Sequence, residues 1–186
     1  MGAVKKVFIV GGGIGGLTVA HALQRIGVST RVIEMGDKRD RIGTGITLLG
    51  NALRALAELG LVDACLEGGL GWDTVSVRDG AGTILSEQSS PRIWDADRPA
   101  ALGLMRPRLG QILEDFATKS GAKIDFNTTI TRIDQDDRGV TVQLSNGETD
   151  RADLLIAADG VYSKIRQSIF GDEFKPHYAG QGVWRY

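Results

Sequence analysis

Three glycines, Gly11, Gly13 and Gly16, follow directly on the apolar run Val7-Phe8-Ile9-Val10, and an acid, Glu34, comes after a further 17 residues. Glycine at these spacings does what a Cβ would hinder. Gly11 allows a tight turn, Gly13 lets a pyrophosphate approach the backbone, and Gly16 lets a helix lie close to a strand. Ile14 and Gly15 fall between them at the helix N-terminus, where free N–H groups and the positive dipole end favour an anion. The Glu34 carboxylate is spaced to accept hydrogen bonds from a ribose, and it would repel the extra phosphate of NADP. The chemistry is that of holding a dinucleotide, FAD or NAD.

Such a set needs a strand, a turn, a helix and a second strand, and residues 7–34 read as that βαβ unit. Gly16, Ala20, Leu23 and Gly27 recur at i, i+4, i+7 and i+11, a small-residue face for packing on the sheet. A charged loop then runs to Leu49, and Leu53, Leu56, Ala57 and Gly60 mark a second helix. Residues 73–88 alternate like strands about Asp79-Gly80-Ala81-Gly82, a hairpin signal, with 91–99 as a loop. Residues 70–100 therefore read as an excursion into a second, substrate-side layer. Pro107 suits a helix start, Leu109, Ile112, Leu113 and Phe116 form its apolar face, and Gly121 ends it. A short strand at 123–126 and a β-meander with turns at 136–139 and 145–147 follow. Residues 154–158 read as a central parallel strand that delivers Asp159-Gly160 at its carboxyl end, before a helix beginning near Val161. Ligands of open α/β sheets bind at such strand ends. Residues 178–186 have the look of a strand just beginning, so the second domain is expected to be cut off.

The chain has 186 residues, 42 % of them apolar, enough for one sizeable core and part of another. A net charge of −1 with no basic run points to neither nucleic acid nor an anionic membrane as partner. No stretch is long enough to span a membrane, and no secretory signal precedes the first strand, so a cytoplasmic setting is expected. The single cysteine, Cys65, excludes an intrachain disulfide and a multi-cysteine metal site, and its apolar surroundings read as those of a buried structural thiol. His21 reads as packed or capping and His177 as structural or exposed. Tyr162, Trp72 and Trp184 are candidates for an aromatic pocket or for core. No residue is singled out as catalytic and no metal is expected.

Four segments in order resemble the FAD-dependent aromatic hydroxylases, single-component flavoprotein monooxygenases of the p-hydroxybenzoate hydroxylase type, over their N-terminal part. They are the βαβ unit, residues 41–61, residues 105–113, in which Arg106, Leu109 and Leu113 match an Arg-x-x-Leu-x-x-x-Leu helix, and residues 152–166, in which Asp159, Gly160, Ser163 and Arg166 match an Asp-Gly motif. Ala157-Ala158 stand where the family often has Gly-Cys, and its further Gly-Asp motif has no counterpart here. The resemblance implies an α/β fold: a Rossmann-like FAD-binding domain of the glutathione reductase type, parallel sheet plus meander, over 1–70 and 101–175. It implies an incomplete substrate-domain sheet over 71–100 and 176–186. It also implies FAD as cofactor, NAD(P)H as reductant and transfer of one oxygen atom of O2 to a small aromatic substrate. Arg106 and Asp159 would contact FAD, Arg41 matches a basic position near the cofactor phosphates, and the backbone about Gly43 and Gly45 would pass the flavin. Two other readings stay open: a FAD-dependent reductase or dehydrogenase without hydroxylation, and a non-catalytic nucleotide-binding fragment. Apolar surface where a missing half would pack implies self-association.

Overall fold

The computed structural model describes residues 3–37 and 43–182. In chain order the elements are β1 (Lys6–Val10), α1 (Ile14–Arg25), β2 (Ser29–Ile33), β3 (Gly45–Leu49), α2 (Gly50–Glu58), α3 (Val62–Glu67), β4 (Leu70–Trp72), β5 (Thr74–Arg78), β6 (Ile84–Ser89), β7 (Ala101–Met105), α4 (Arg106–Lys119), β8 (Lys123–Asp125), β9 (Ile130–Asp136), β10 (Gly139–Leu144), β11 (Thr149–Ala152), β12 (Leu154–Ala157) and α5 (Lys164–Phe170). Parallel strands in the order β12-β1-β2-β8 form the main sheet. The unbroken apolar run of β1 is explained by burial on both faces. Val7 and Ile9 pack with Ala20 of α1 and Ala117 of α4, whereas Phe8 meets Val140, Val142 and Leu144 of the meander β9-β10-β11. A third cluster, including Leu53, Leu56, Cys65, Leu102, Leu109 and Leu113, joins the helices α2, α3 and α4 to the antiparallel sheet β3-β7-β4.

Five sequence expectations are corrected. Gly27 does not lie on the sheet-facing stripe of α1. The helix ends at Arg25, and Gly27, at φ +81°, turns the chain so that Val28 N donates to Leu23 O, a helix-ending motif that needs glycine. The loop expected up to Leu49 contains β3, which pairs with β7. The strand before Asp159 is not central: β12 pairs with β1 alone among the described strands, and Leu154 remains 43 % exposed. Helix α5 starts at Lys164 rather than near Val161, because Ser163 is the first residue able to cap it. Residues 178–182 form no strand, and 183–186, with Trp184, lie outside the described residues. The β5–β6 hairpin stands as its own two-stranded sheet, while β4 pairs with β7.

Candidate functional site

The carboxyl ends of β1, β2 and β12 open onto one cleft of about 550 Å3. Gly11 and Gly13 form its base, Glu34 stands on the β2 side, Asp159 and Gly160 on the β12 side, and Thr128, Thr129 and Ile130 make a third wall. Gly11 sits at φ +107°, and a Cβ there would collide with the Ala158 carbonyl oxygen. Its N–H donates to Ile33 O at 2.8 Å while Ala158 N donates to Val10 O at 2.8 Å, so the turn is fixed between two strands. A Cβ on Gly16 would collide with the Gly11 carbonyl oxygen. Gly13 differs from both: nothing stands within 4 Å of where its Cβ would be. Helix α1 starts there with no side-chain cap and no acid in its first turn. Cβ-free space at an uncapped helix N-terminus suits a diphosphate in shape and charge, so these residues fit a dinucleotide.

Both carboxylates of the cleft are held by donors of the chain, Glu34 by backbone N–H groups alone and Asp159 by a hydroxyl and a backbone N–H. Glu34 Oε2 accepts from Gly12 N at 2.6 Å and Oε1 from Gly36 N at 2.6 Å, which stretches the carboxylate across the turn. Each oxygen keeps acceptor capacity for a ribose hydroxyl. Asp159 Oδ1 accepts from Ser163 Oγ at 2.6 Å and Oδ2 from Ile165 N at 3.2 Å. Ser163 Oγ in turn accepts from Arg166 N at 2.9 Å as the cap of α5. Asp159 therefore lines the cleft and also fixes the start of the helix that walls it.

The cleft thus brings together Gly11, Gly13, Glu34 and Asp159. Ile14 opens α1 and packs on the helical core, and Gly15 is exposed with open space about it. Arg106 is exposed at the start of α4, alongside Gly43, and does not line the cleft. Gly45 lines a shallower depression of about 430 Å3 along β3, β7 and β4. Arg41 lies outside the described residues. Sequence reasoning passed over Thr128, Thr129, Ile130 and Lys164, all lining residues. The available signal was positional: 128–130 follow the carboxyl end of β8, the neighbour of β2.

His21, Cys65, Trp72 and His177 do not line the cleft. His21 is buried, with Nε2 donating to Leu59 O at 3.0 Å and Nδ1 2.7 Å from the Ser120 hydroxyl, so it joins α1 to the turn after α2 and the end of α4. His177 is exposed and Trp72 half-buried on β4. Burial pushes the Cys65 thiol up to about 11 against the nearby Arg108 charge, and the side chain has no exposed surface. Cys65 is expected to resist an aromatic disulfide reagent at pH 8 in the folded chain and to react at once in denaturant; rapid reaction without denaturant would contradict this placement. Among the described residues no helix is long and apolar enough to cross a membrane.

The family profile described as "FAD binding domain" matches residues 5–178. The chain is similar to YetM of Bacillus subtilis (strain 168), at 31 % identity over 183 residues, 98 % of this chain and 49 % of that protein. It is similar to 3-amino-4-hydroxybenzoate 2-monooxygenase of Streptomyces cremeus, at 31 % identity over 183 residues, 97 % of this chain and 45 % of that enzyme. Among solved structures, p-nitrophenol 4-monooxygenase PnpA from Pseudomonas putida DLL-E4 superposes with a TM-score of 0.80 at 26 % identity, over 91 % of this chain and 44 % of that one. The chain spans about half the length of the curated relatives it matches.

Proposed function

Because this chain belongs to the FAD binding domain family, we propose that it holds the FAD of a flavin-dependent monooxygenase, which hydroxylates a small aromatic compound with NAD(P)H and dioxygen. The observation that carries the cofactor assignment is the single cleft joining the Cβ-free space at Gly13, the clamped Glu34 and Asp159. FAD, when bound, supplies the redox chemistry, accepting hydride from the nicotinamide and passing electrons to dioxygen. The chain's residues bind and orient. The first-turn amides of α1 take the diphosphate, with Ile14, Gly15 and Gly16 keeping that turn in place. Glu34 accepts from the ribose hydroxyls and turns away a 2′-phosphate. Gly45, Arg106 and Arg41 meet the remainder of the cofactor in this reading.

Relatives named for 3-amino-4-hydroxybenzoate and p-nitrophenol support a hydroxylated aromatic ring as the substrate class. The division into a FAD-binding domain over 1–70 and 101–175 and a partial substrate domain over 71–100 and 176–186 belongs to the same proposal, as does a cytoplasmic setting. Exposed Leu85 and Phe170 support self-association through the hairpin and α5. In the deciding experiment, the purified chain is mixed with FAD and passed over gel filtration. Flavin absorbance is expected to travel with the protein, and NAD(P)H oxidation is then followed with hydroxylated aromatic compounds. NAD(P)H consumption without hydroxylated product favours the reductase reading, and a protein peak free of flavin overturns the cofactor site in this chain.

A further inference from the structure

We propose that Tyr162 and Lys164 form a rim that closes the cleft over a bound adenine nucleotide, the Tyr162 ring covering the purine and the Lys164 ammonium pairing with a phosphate. The inference rests on reading the cleft as a nucleotide site and adds two contacts to it. Three charged side chains line the cleft among the described residues: Glu34, Asp159 and Lys164. The two carboxylates are committed on both oxygens to donors of the chain itself. Lys164 has no hydrogen bond or ion pair with any described residue, so its ammonium is the uncommitted charge of the site. A diphosphate entering here meets two carboxylates, and the exposed ammonium on the wall offsets that repulsion, most strongly at low salt.

Tyr162 lines the same cleft yet is 83 % exposed, a ring at the mouth with water on most of its surface. A flat base entering the cleft buries that ring at small conformational cost, since tyrosine has few rotatable bonds. The rim is presented from a fixed base. Gly160 bends the chain at φ +82°, Ser163 N donates back to Gly160 O at 3.2 Å, and the Asp159-Ser163-Arg166 cap ties the segment to α5. Both side chains therefore project from a defined turn and remain free to move at their tips.

The test is calorimetric titration of the 186-residue chain and of the variants Tyr162→Ala and Lys164→Gln with ADP and with adenosine. Lys164→Gln is expected to weaken ADP about fivefold to tenfold at low salt, to reduce the salt dependence of ADP binding, and to leave adenosine unchanged. Tyr162→Ala is expected to weaken both ligands about tenfold, as the loss of a stacking contact does. Thermal unfolding of both variants serves as the folding control, because each side chain is exposed. ADP binding that neither variant changes overturns the rim while leaving the nucleotide site standing. A chain that binds neither ADP nor FAD overturns the site and the rim together.

Discussion

Gly13→Ala is expected to abolish retention of FAD through gel filtration while leaving the fold nearly unchanged, and Gly16→Ala to remove both. The contrast follows from where each Cβ would go. At Gly13 the new methyl enters open space, and φ −77° with ψ −175° suits any residue. The cost to folding is that of a poorer N-cap, about 0.5–1 kcal/mol. That methyl would occupy the space assigned to the diphosphate, so affinity should drop on the order of a hundredfold, about 2.7 kcal/mol. At Gly16 the methyl collides with the Gly11 carbonyl oxygen, backbone that cannot rotate aside. Helix α1 must then lift from β1, which costs about 3 kcal/mol or more. Gly11→Ala adds a positive-φ penalty of about 1–3 kcal/mol to its collision with Ala158. Thermal denaturation and flavin absorbance on the same samples separate the cases, and a Gly13→Ala chain that still carries FAD would sink the assignment of the diphosphate to that position.

The same contrast marks what a sequence discloses. Local steric demands are written in residue types, so the turn at Gly11, the packing at Gly16 and the acid at Glu34 were legible, as were the hairpin about Asp79-Gly80 and the turns of the meander. Pairing partners are not written in this way. Strand β3 abuts α2 without an intervening turn residue, and its pairing with β7, more than fifty positions along the chain, has no local signature. The apolar run of β12 reads as central because Leu, Leu and Ile in succession are usual where both faces are covered. In the described chain that strand has one neighbour, and the same residues are half-exposed. Site residues divide likewise. Gly11, Gly13 and Glu34 are close in sequence and were found, whereas Thr128 to Ile130 reach the cleft only because β8 lies beside β2.

Arg31→Met is expected to cost about 2–3 kcal/mol of stability, the lower end for a broken buried ion pair, because the partner carboxylates keep contact with water. Arg31 lies within β2 with its side chain 6 % exposed. Nε donates to Asp125 Oδ2 at 2.6 Å, Nη1 to Glu148 Oε1 at 2.6 Å and Asp150 Oδ2 at 2.8 Å, and Nη2 to Glu148 Oε2 at 2.7 Å. One guanidinium thereby reinforces the pairing of β2 with β8 and ties the β10–β11 hairpin to the parallel sheet. The Glu148 contact foremost, then those to Asp125 and Asp150, outweighs burial and holds Arg31 protonated above even its ordinary range, so it stays charged at every working pH. Arg31 in turn holds the Glu148 carboxyl below its usual value. Burial raises Asp150, but hydrogen bonds from Lys6 and Arg31 prevail and its value is lowered. A carboxylate lowered by folding lends stability that is complete above its unfolded value, near about 4, and is lost as pH falls through the lower folded value. The native chain should therefore weaken between about pH 5 and pH 2, and Arg31→Met should weaken less steeply there from a lower starting point. Urea midpoints taken at intervals of pH check both features, and parallel curves for the two proteins would remove Arg31 from the account. Flavin retention should also fall in this variant, although Arg31 does not line the cleft. Residues 128–130 lead from β8 into the meander, and without the guanidinium that wall loses its ties from β2 to Asp125 and Glu148, leaving the Lys6–Asp150 ion pair and the bond from Thr128 N to Glu34 O at 2.9 Å to hold it.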